Sequence, residues 1–229
     1  MTFQGFSEFT QRSVTSLLLI LCFGGSYLHS AILFSLLLST VLIIIMTSEW
    51  PKLIPLPTLT YIPLSLLYPV LPMAGLIALT LIFRASNFFL PLYPFLIAWT
   101  ADTCGYLVGK MWGKHKIYPA VSPGKSWEGL LGSFVGVFCL NLYILPIIGL
   151  LCSIDYSISS FLCVGLYSAL LTIVAFLGGF MISFLKRKQG LKDTGSLLPG
   201  HGGLLDRFDS VFFIIVMVWV VLIVQRTRP

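Results

Sequence analysis

The sequence predicts an all-α, polytopic membrane protein. Of its 229 residues, 57% are hydrophobic and only 10% are charged, and the mean hydropathy of +0.98 lies outside the range of soluble domains. Stretches such as Ile32 to Met46 and Val211 to Val224 are apolar on every face, whereas the strands of a membrane barrel alternate apolar and polar positions. A hydrocarbon core of about 30 Å takes roughly 20 residues per helix, so apolar runs totalling about 150 residues amount to about seven or eight transmembrane spans. That leaves no room for a separate soluble domain. A single membrane-embedded domain over residues 1–229 is expected, with N-terminal spans in 1–95, a region with polar loops in 96–210, and a last span and tail in 211–229.

Taken in order, Phe3, Phe6 and Phe9 recur at a spacing that suits a short interfacial helix or a greasy tail. The run from Val14 to Met46 is too long for one span and is interrupted by Gly24-Gly25-Ser26, so two helices are expected there. Only Arg12 precedes this run and no small-residue cleavage site follows, and Leu21 before Cys22 argues against lipoprotein processing, so it reads as a retained first span. Glu49 to Pro57 reads as a Pro-rich loop. Thr58 to Phe83, with Pro63, Pro69 and Pro72, is either one kinked helix or a tight pair. Further spans are expected at Phe88 to Val108, Gly129 to Leu151 and Ile158 to Leu185, with polar segments at Gly109 to Glu128 and Lys186 to Asp209 and a last apolar run ending at Val224. Cys22, Cys104, Cys139, Cys152 and Cys163 show no metal-ligand spacing and read as packing residues. No internal repeat is visible.

Basic residues orient the chain, because cytoplasmic loops carry the excess of Lys and Arg. Lys110, Lys114, Lys116 and Lys125 fall in one polar segment, and Lys186, Arg187, Lys188, Lys192 and Arg207 in the other. Two spans separate the segments, which puts both on one face, the cytoplasmic one. Arg226 and Arg228 then fall outside, a minority outvoted by the other nine.

Carboxylates at membrane depth are functional candidates by default, since an ionisable group there costs at least about 2.5 kcal/mol. Asp102 lies in the otherwise uncharged run from Asn87 to Gly109; pairing with Lys110 at the helix end is the structural alternative. Counting about 20 residues back from Val224 reaches Leu205, so Asp206, Arg207 and Asp209 fall in the first turn of the last helix, with both acids on one face. Hard cations such as Mg2+ take one or two carboxylates plus water and phosphate oxygens. Asp102, Asp193, Asp206 and Asp209 are the candidate set, surrounded by bases able to neutralise phosphate or simply to contact anionic headgroups. Pro199 to Gly203, "PGHGG", sets His201 among glycines whose N–H groups can approach an anion. Ser122 to Gly129, "SPGKSWEG", contains Gly-Lys-Ser, but Pro119 stands where a P-loop needs its first glycine.

Together these segments resemble the phosphatidate cytidylyltransferase (CDP-diacylglycerol synthase) family. The family's C-terminal pattern, S-x-x-K-R-x4-K-D followed by P-G-H-G-G-x-x-D-R-x-D, is matched by Ser183, Lys186, Arg187, Lys192, Asp193, Pro199 to Gly203, Asp206, Arg207 and Asp209. A second pattern is matched by Ala101, Asp102, Thr103, Gly105, Tyr106, Gly109, Lys110, Gly113 to Lys116, Ser122, Pro123 and Lys125 to Gly129. One departure stands out. The family usually reads G-D-L-x-E-S before the Lys-Arg pair, whereas this chain reads Gly178-Gly179-Phe180-Met181-Ile182-Ser183, without either acid.

The resemblance implies transfer of the cytidylyl group of CTP to phosphatidic acid, giving CDP-diacylglycerol and pyrophosphate, with residues 96–210 as the catalytic region. It implies Mg2+, with a second metal ion as an option, held by Asp193, Asp206 and Asp209 with Asp102 as a fourth ligand. Lys125, Ser126, Ser183, Lys186, Arg187, Lys192, Gly202, Gly203 and Arg207 would contact phosphates, and His201 would contact phosphate or relay a proton. The implied partners are CTP, phosphatidic acid, the bilayer and a second copy of the chain, with no nucleic acid. The implied location is a bacterial inner membrane with the site at its cytoplasmic face. The alternatives are a transporter, which would set its acids near mid-span in paired repeats, and a catalytically weakened relative that binds anionic lipid or nucleotide. A CDP-alcohol phosphotransferase is excluded, because its D-x2-D-G-x2-A-R motif is absent.

Overall fold

A computed structural model describes residues 8–55, 59–148, 158–198 and 202–227. Within them the chain forms helices α1 (Glu8–His29), α2 (Ala31–Leu53), α3 (Tyr61–Phe83), α4 (Tyr93–Trp112), α5 (Trp127–Ile148), α6 (Ile158–Lys188) and α7 (Leu205–Thr227). The described residues contain only two isolated β-bridges, Lys116 with Ser126 and Leu198 with Gly202, so the all-α expectation holds. Five helices, α2, α3, α5, α6 and α7, are long and apolar enough to cross a membrane, with a shorter apolar helix at Val14–His29. This is an integral membrane protein, and its described residues hold five or six candidate spans where seven or eight were expected. The higher count came from dividing the apolar length by 20, but real spans run longer: α6 has 31 residues, about 46 Å at 1.5 Å per residue.

Local chemistry explains where the helices break and where they do not. Gly24 and Gly25 stay inside α1, and the break falls at Ser30, whose extended backbone and side-chain acceptor for Ile32 N cap α2. Glu49 is not in a loop. α2 continues past it through a π-helical turn, Ile45–Glu49, immediately before Pro51. A second such turn, Leu66–Val70, contains Pro69 and keeps α3 continuous. Proline lacks its N–H and clashes with the carbonyl four residues back, and widening the turn relieves both. The Pro-rich stretch is therefore one helix with a wide turn and not a pair.

The chain divides into two compact units, Met1–Ile82 with Leu185–Phe208, and Phe83–Phe184 with Asp209–Pro229. In the first unit, Trp50 is fully buried, donates from Nε1 to Ser65 Oγ at 2.6 Å, and stacks on Tyr68 at a centroid distance of 5.6 Å. Such burial in lipid is driven by close packing and satisfied polar groups more than by exclusion of water.

In the second unit, α4 and α5 pack through small residues. A Cβ added to Gly105 or Gly132 would collide with Ser133 or Val108 respectively, and Ser133 Oγ donates to Ala101 O at 2.6 Å. Tyr93 OH donates to Asn141 Oδ1 and Asn141 Nδ2 to Ser168 Oγ, each at 2.8 Å, so these three buried polar side chains are paired across α4, α5 and α6. The described cysteines are all free thiols. Cys22, Cys139 and Cys163 are exposed, so of these four only Cys104 approaches the packing role expected of them, against Gly136. Cys152 lies outside the described residues.

Candidate functional site

Asp206, the second residue of α7, organises the first unit's polar cluster. Its side chain is only 8% exposed. Oδ1 accepts from Lys186 Nζ at 2.7 Å, while Oδ2 accepts from Thr194 N at 2.9 Å, Thr194 Oγ1 at 3.0 Å and Gly203 N at 3.1 Å. Oδ2 thus carries three of the four contacts, one of them from a hydroxyl it shares with Glu49, and Oδ1 carries one. Lys186 reaches this point because α6 runs on through its last turn, Lys186 to Lys188. Gly202, in the left-handed region at φ +80°, closes the turn between Asp193 and α7; an added Cβ there would lie 3.1 Å from Asp206 Oδ2 and 3.4 Å from Asp193 Cγ. Both carboxyl groups thus flank one glycine. Asp193 and Lys192 are exposed.

The cluster has a member that the sequence reading missed. Glu49 is 1% exposed, and its carboxylate accepts from Leu204 N and Leu205 N at 2.8 Å each and from Thr194 Oγ1 at 3.0 Å. Its signal was present: Glu49 is the only carboxylate between Ala31 and Leu53, the same criterion that singled out Asp102. The neighbouring Trp-Pro made it look like the start of a loop.

The second unit holds a separate cluster. Lys125 Nζ lies 4.6 Å from the centroid of the Phe176 ring and donates to Phe176 O at 3.3 Å. A Cβ on Gly179 would meet Lys125 Nζ at 3.1 Å and Asp209 Oδ2 and Ser210 Oγ at 3.4 Å each. Gly178 admits the α7 backbone close to α6, since a Cβ there would strike Asp209 O. A lysine and an aspartate therefore border the space above a helical glycine. Ser126 is buried and accepts from Gly129 N at 3.1 Å as the cap of α5, and Glu128 closes the preceding hairpin by accepting from His115 N at 3.1 and 3.2 Å.

A family model described as the cytidylyltransferase family matches residues 14–225. The chain belongs to the cytidylyltransferase family. It is 41% identical over 140 residues to a phosphatidate cytidylyltransferase of Staphylococcus aureus (strain COL), covering 61% of this chain and 51% of that protein. It is 39% identical over 123 residues to one of Haemophilus influenzae, covering 54% and 42%. The chain thus spans about half the length of the curated relatives it matches.

Asp193, Lys186, Gly202, Gly203 and Asp206 come together in the first unit; Lys125 and Asp209 meet at Gly179 in the second. Ser183 Oγ is turned onto its own helix, donating to Gly179 O at 2.7 Å. Arg187 is exposed and donates to Leu191 O at 3.2 Å, and Arg207 is also exposed. Asp102 is exposed on α4. His201, with Pro199 and Gly200, lies outside the described residues. Among the described residues no group of three or more His, Cys, Asp and Glu gathers as a metal site. The pair at Gly202 does fit magnesium, which commonly takes one or two carboxylates and fills its shell with water and phosphate. Asp193 is the exposed acid of the pair, and a cation at Asp206 Oδ1 would repel the Lys186 ammonium that shares that oxygen.

Proposed function

We propose that this protein transfers the cytidylyl group of CTP to phosphatidic acid, releasing CDP-diacylglycerol and pyrophosphate, at the cytoplasmic face of a bacterial inner membrane. The observation that carries this reading is the Asp206 cluster: an acid and a lysine at two helix ends, tied to an Asp193-bearing glycine turn, in a chain of this family. A phosphate oxygen of the lipid attacks the α-phosphorus of CTP. That P–O bond forms as the bond from the α-phosphorus to the bridging oxygen breaks, and pyrophosphate leaves with the electron pair.

Such chemistry needs little covalent help from protein. It needs two anions held in line and the transferred charge neutralised. Magnesium, when bound, supplies charge neutralisation on the phosphates, and Asp193 and Asp206 are the residues that would hold it. Lys186, released from Asp206, would then be available to a phosphate, with Arg187, Lys192 and Arg207 as exposed cations along the same segment. Lys125 and Asp209 form a charged group of the second unit's own, and Gly203 keeps its backbone N–H on Asp206. Residues 96–210 carry all of these groups. A phosphate nucleophile is already ionised at neutral pH, so no general base is required and His201 would serve as a phosphate contact.

The basic segments are separated by α5 and α6, both long enough to span, which supports their lying on one face of the membrane. The diacyl substrate would stay in the bilayer while its headgroup meets CTP from water. Gly179 and Ile182, in place of acids, favour one second reading: a member with a weakened metal requirement or rate. Pyrophosphate release by purified protein in detergent, measured against CTP with phosphatidic acid or with phosphatidylglycerol, tests the proposal. Release only with phosphatidic acid is expected; equal release with either lipid, or none, overturns it.

A further inference from the structure

We propose that Glu49 is a positioning residue for this reaction, holding Asp206 and the entry of α7 in register through Thr194; the proposal rests on the cytidylyl-transfer reading. Glu49 comes from the N-terminal helix α2, far in sequence from every motif residue, yet it is the buried partner of three donors in the acid-bearing turn. Leu204 N and Leu205 N are among the first amides of α7, where the helix dipole favours an anion. Glu49 fills that place itself, so the start of α7 is not a phosphate seat. Its carboxylate also fixes the loop sterically. An added Cβ would lie 2.9 Å from Glu49 Oε1 at Gly195 and 2.7 Å from Oε2 at Gly203. Glycine at both positions is what lets the loop close around this acid.

The link to Asp206 is one hydroxyl. Thr194 Oγ1 lies 3.0 Å from Glu49 Oε2 and 3.0 Å from Asp206 Oδ2, and its single proton serves one carboxylate at a time. With Glu49 taking it, Asp206 keeps Thr194 N, Gly203 N and Lys186 and is turned toward Gly202. Replacing Glu49 by Gln puts an NH2 group against one of the three donors. The turn then has to shift, and with it the separation of Asp193 and Asp206.

The test measures turnover of the full chain in detergent as a function of Mg2+, CTP and phosphatidic acid for wild type, Glu49→Gln, Thr194→Val and Thr194→Ser. For E49Q we expect kcat to fall about tenfold and half-maximal Mg2+ to rise about tenfold, the scale of one hydrogen bond, with KM for phosphatidic acid unchanged. T194V should move the Mg2+ requirement the same way, T194S should not, and the double variant E49Q/T194V should be no worse than the worse single. A purely structural role would lower the active fraction and leave the Mg2+ requirement in place, and that result overturns the proposal. Should E49Q not fold, Glu49→Asp, whose shorter side chain draws the carboxylate back from the same three donors, decides by the same readouts. If the wild type shows no Mg2+-dependent turnover, the reaction reading falls; amide hydrogen exchange then judges the positioning, with faster exchange at Leu204 and Leu205 expected in E49Q and unchanged exchange contradicting it.

Discussion

Asp206 shows what a single carboxylate does when four donors surround it. It is a ligand candidate and the knot of its loop at once, and the two roles give different signatures. Asp206→Asn presents an NH2 group to at least one donor, which should cost about 1–3 kcal/mol of stability, seen as a lower melting temperature in detergent, together with loss of turnover beyond a hundredfold. Wild-type rates in a folded D206N protein would remove Asp206 from the site. Gly203 is the complementary case. Gly203→Ala drives a Cβ into Thr194 and Glu49, and it should destabilise by about 1–3 kcal/mol, measured by thermal melting in detergent. The residues of the C-terminal motif were legible in sequence because acids, bases and glycines stand out in an apolar chain. Glu49 stood out only as a lone acid in an apolar run; its place in this cluster was not legible, because its partners are backbone amides about 155 residues away, and no local spacing encodes a contact of that range.

At the scale of elements, the same logic separates caps and packing from chemistry. Ser126 sits in a stretch that looked like a phosphate loop, and it caps α5. Ser126→Ala should therefore lower stability by about 1 kcal/mol, read by thermal melting, and the size of any accompanying rise in KM for CTP measures what phosphate contact adds to the cap. The glycines of the second sequence motif were read for their family resemblance, and in the fold they let α4 and α5 approach. Gly105→Leu adds bulk where a Cβ already meets Ser133 and should destabilise by about 1–3 kcal/mol or prevent insertion, checked by expression and thermal melting. Proline was misread at one place. Pro51 announced a loop and Pro69 left a kinked helix or a pair open, and a π-helical turn absorbs each, because a wide turn needs only local rearrangement while a true break in lipid exposes backbone.

For the whole molecule, the all-α membrane class followed from composition and from runs apolar on every face, while the number of spans did not, because total apolar length does not say how long each helix runs. The fold's orientation rests on charge: Lys116 and Lys188 lie in basic segments separated by α5 and α6. Cysteine introduced at each position, in a background without native cysteines, should react with a membrane-impermeant thiol reagent from the same side of sealed vesicles; labelling from opposite sides would contradict the assigned topology. The account as a whole stands on magnesium-dependent cytidylyl transfer, and its most direct measurement is product stoichiometry. Purified protein in detergent, given CTP, phosphatidic acid and Mg2+, should form CDP-diacylglycerol and pyrophosphate in equal amounts, detected by mass spectrometry and a coupled pyrophosphate assay, and should stop when the metal is chelated. No CDP-diacylglycerol above the chelated control would contradict it.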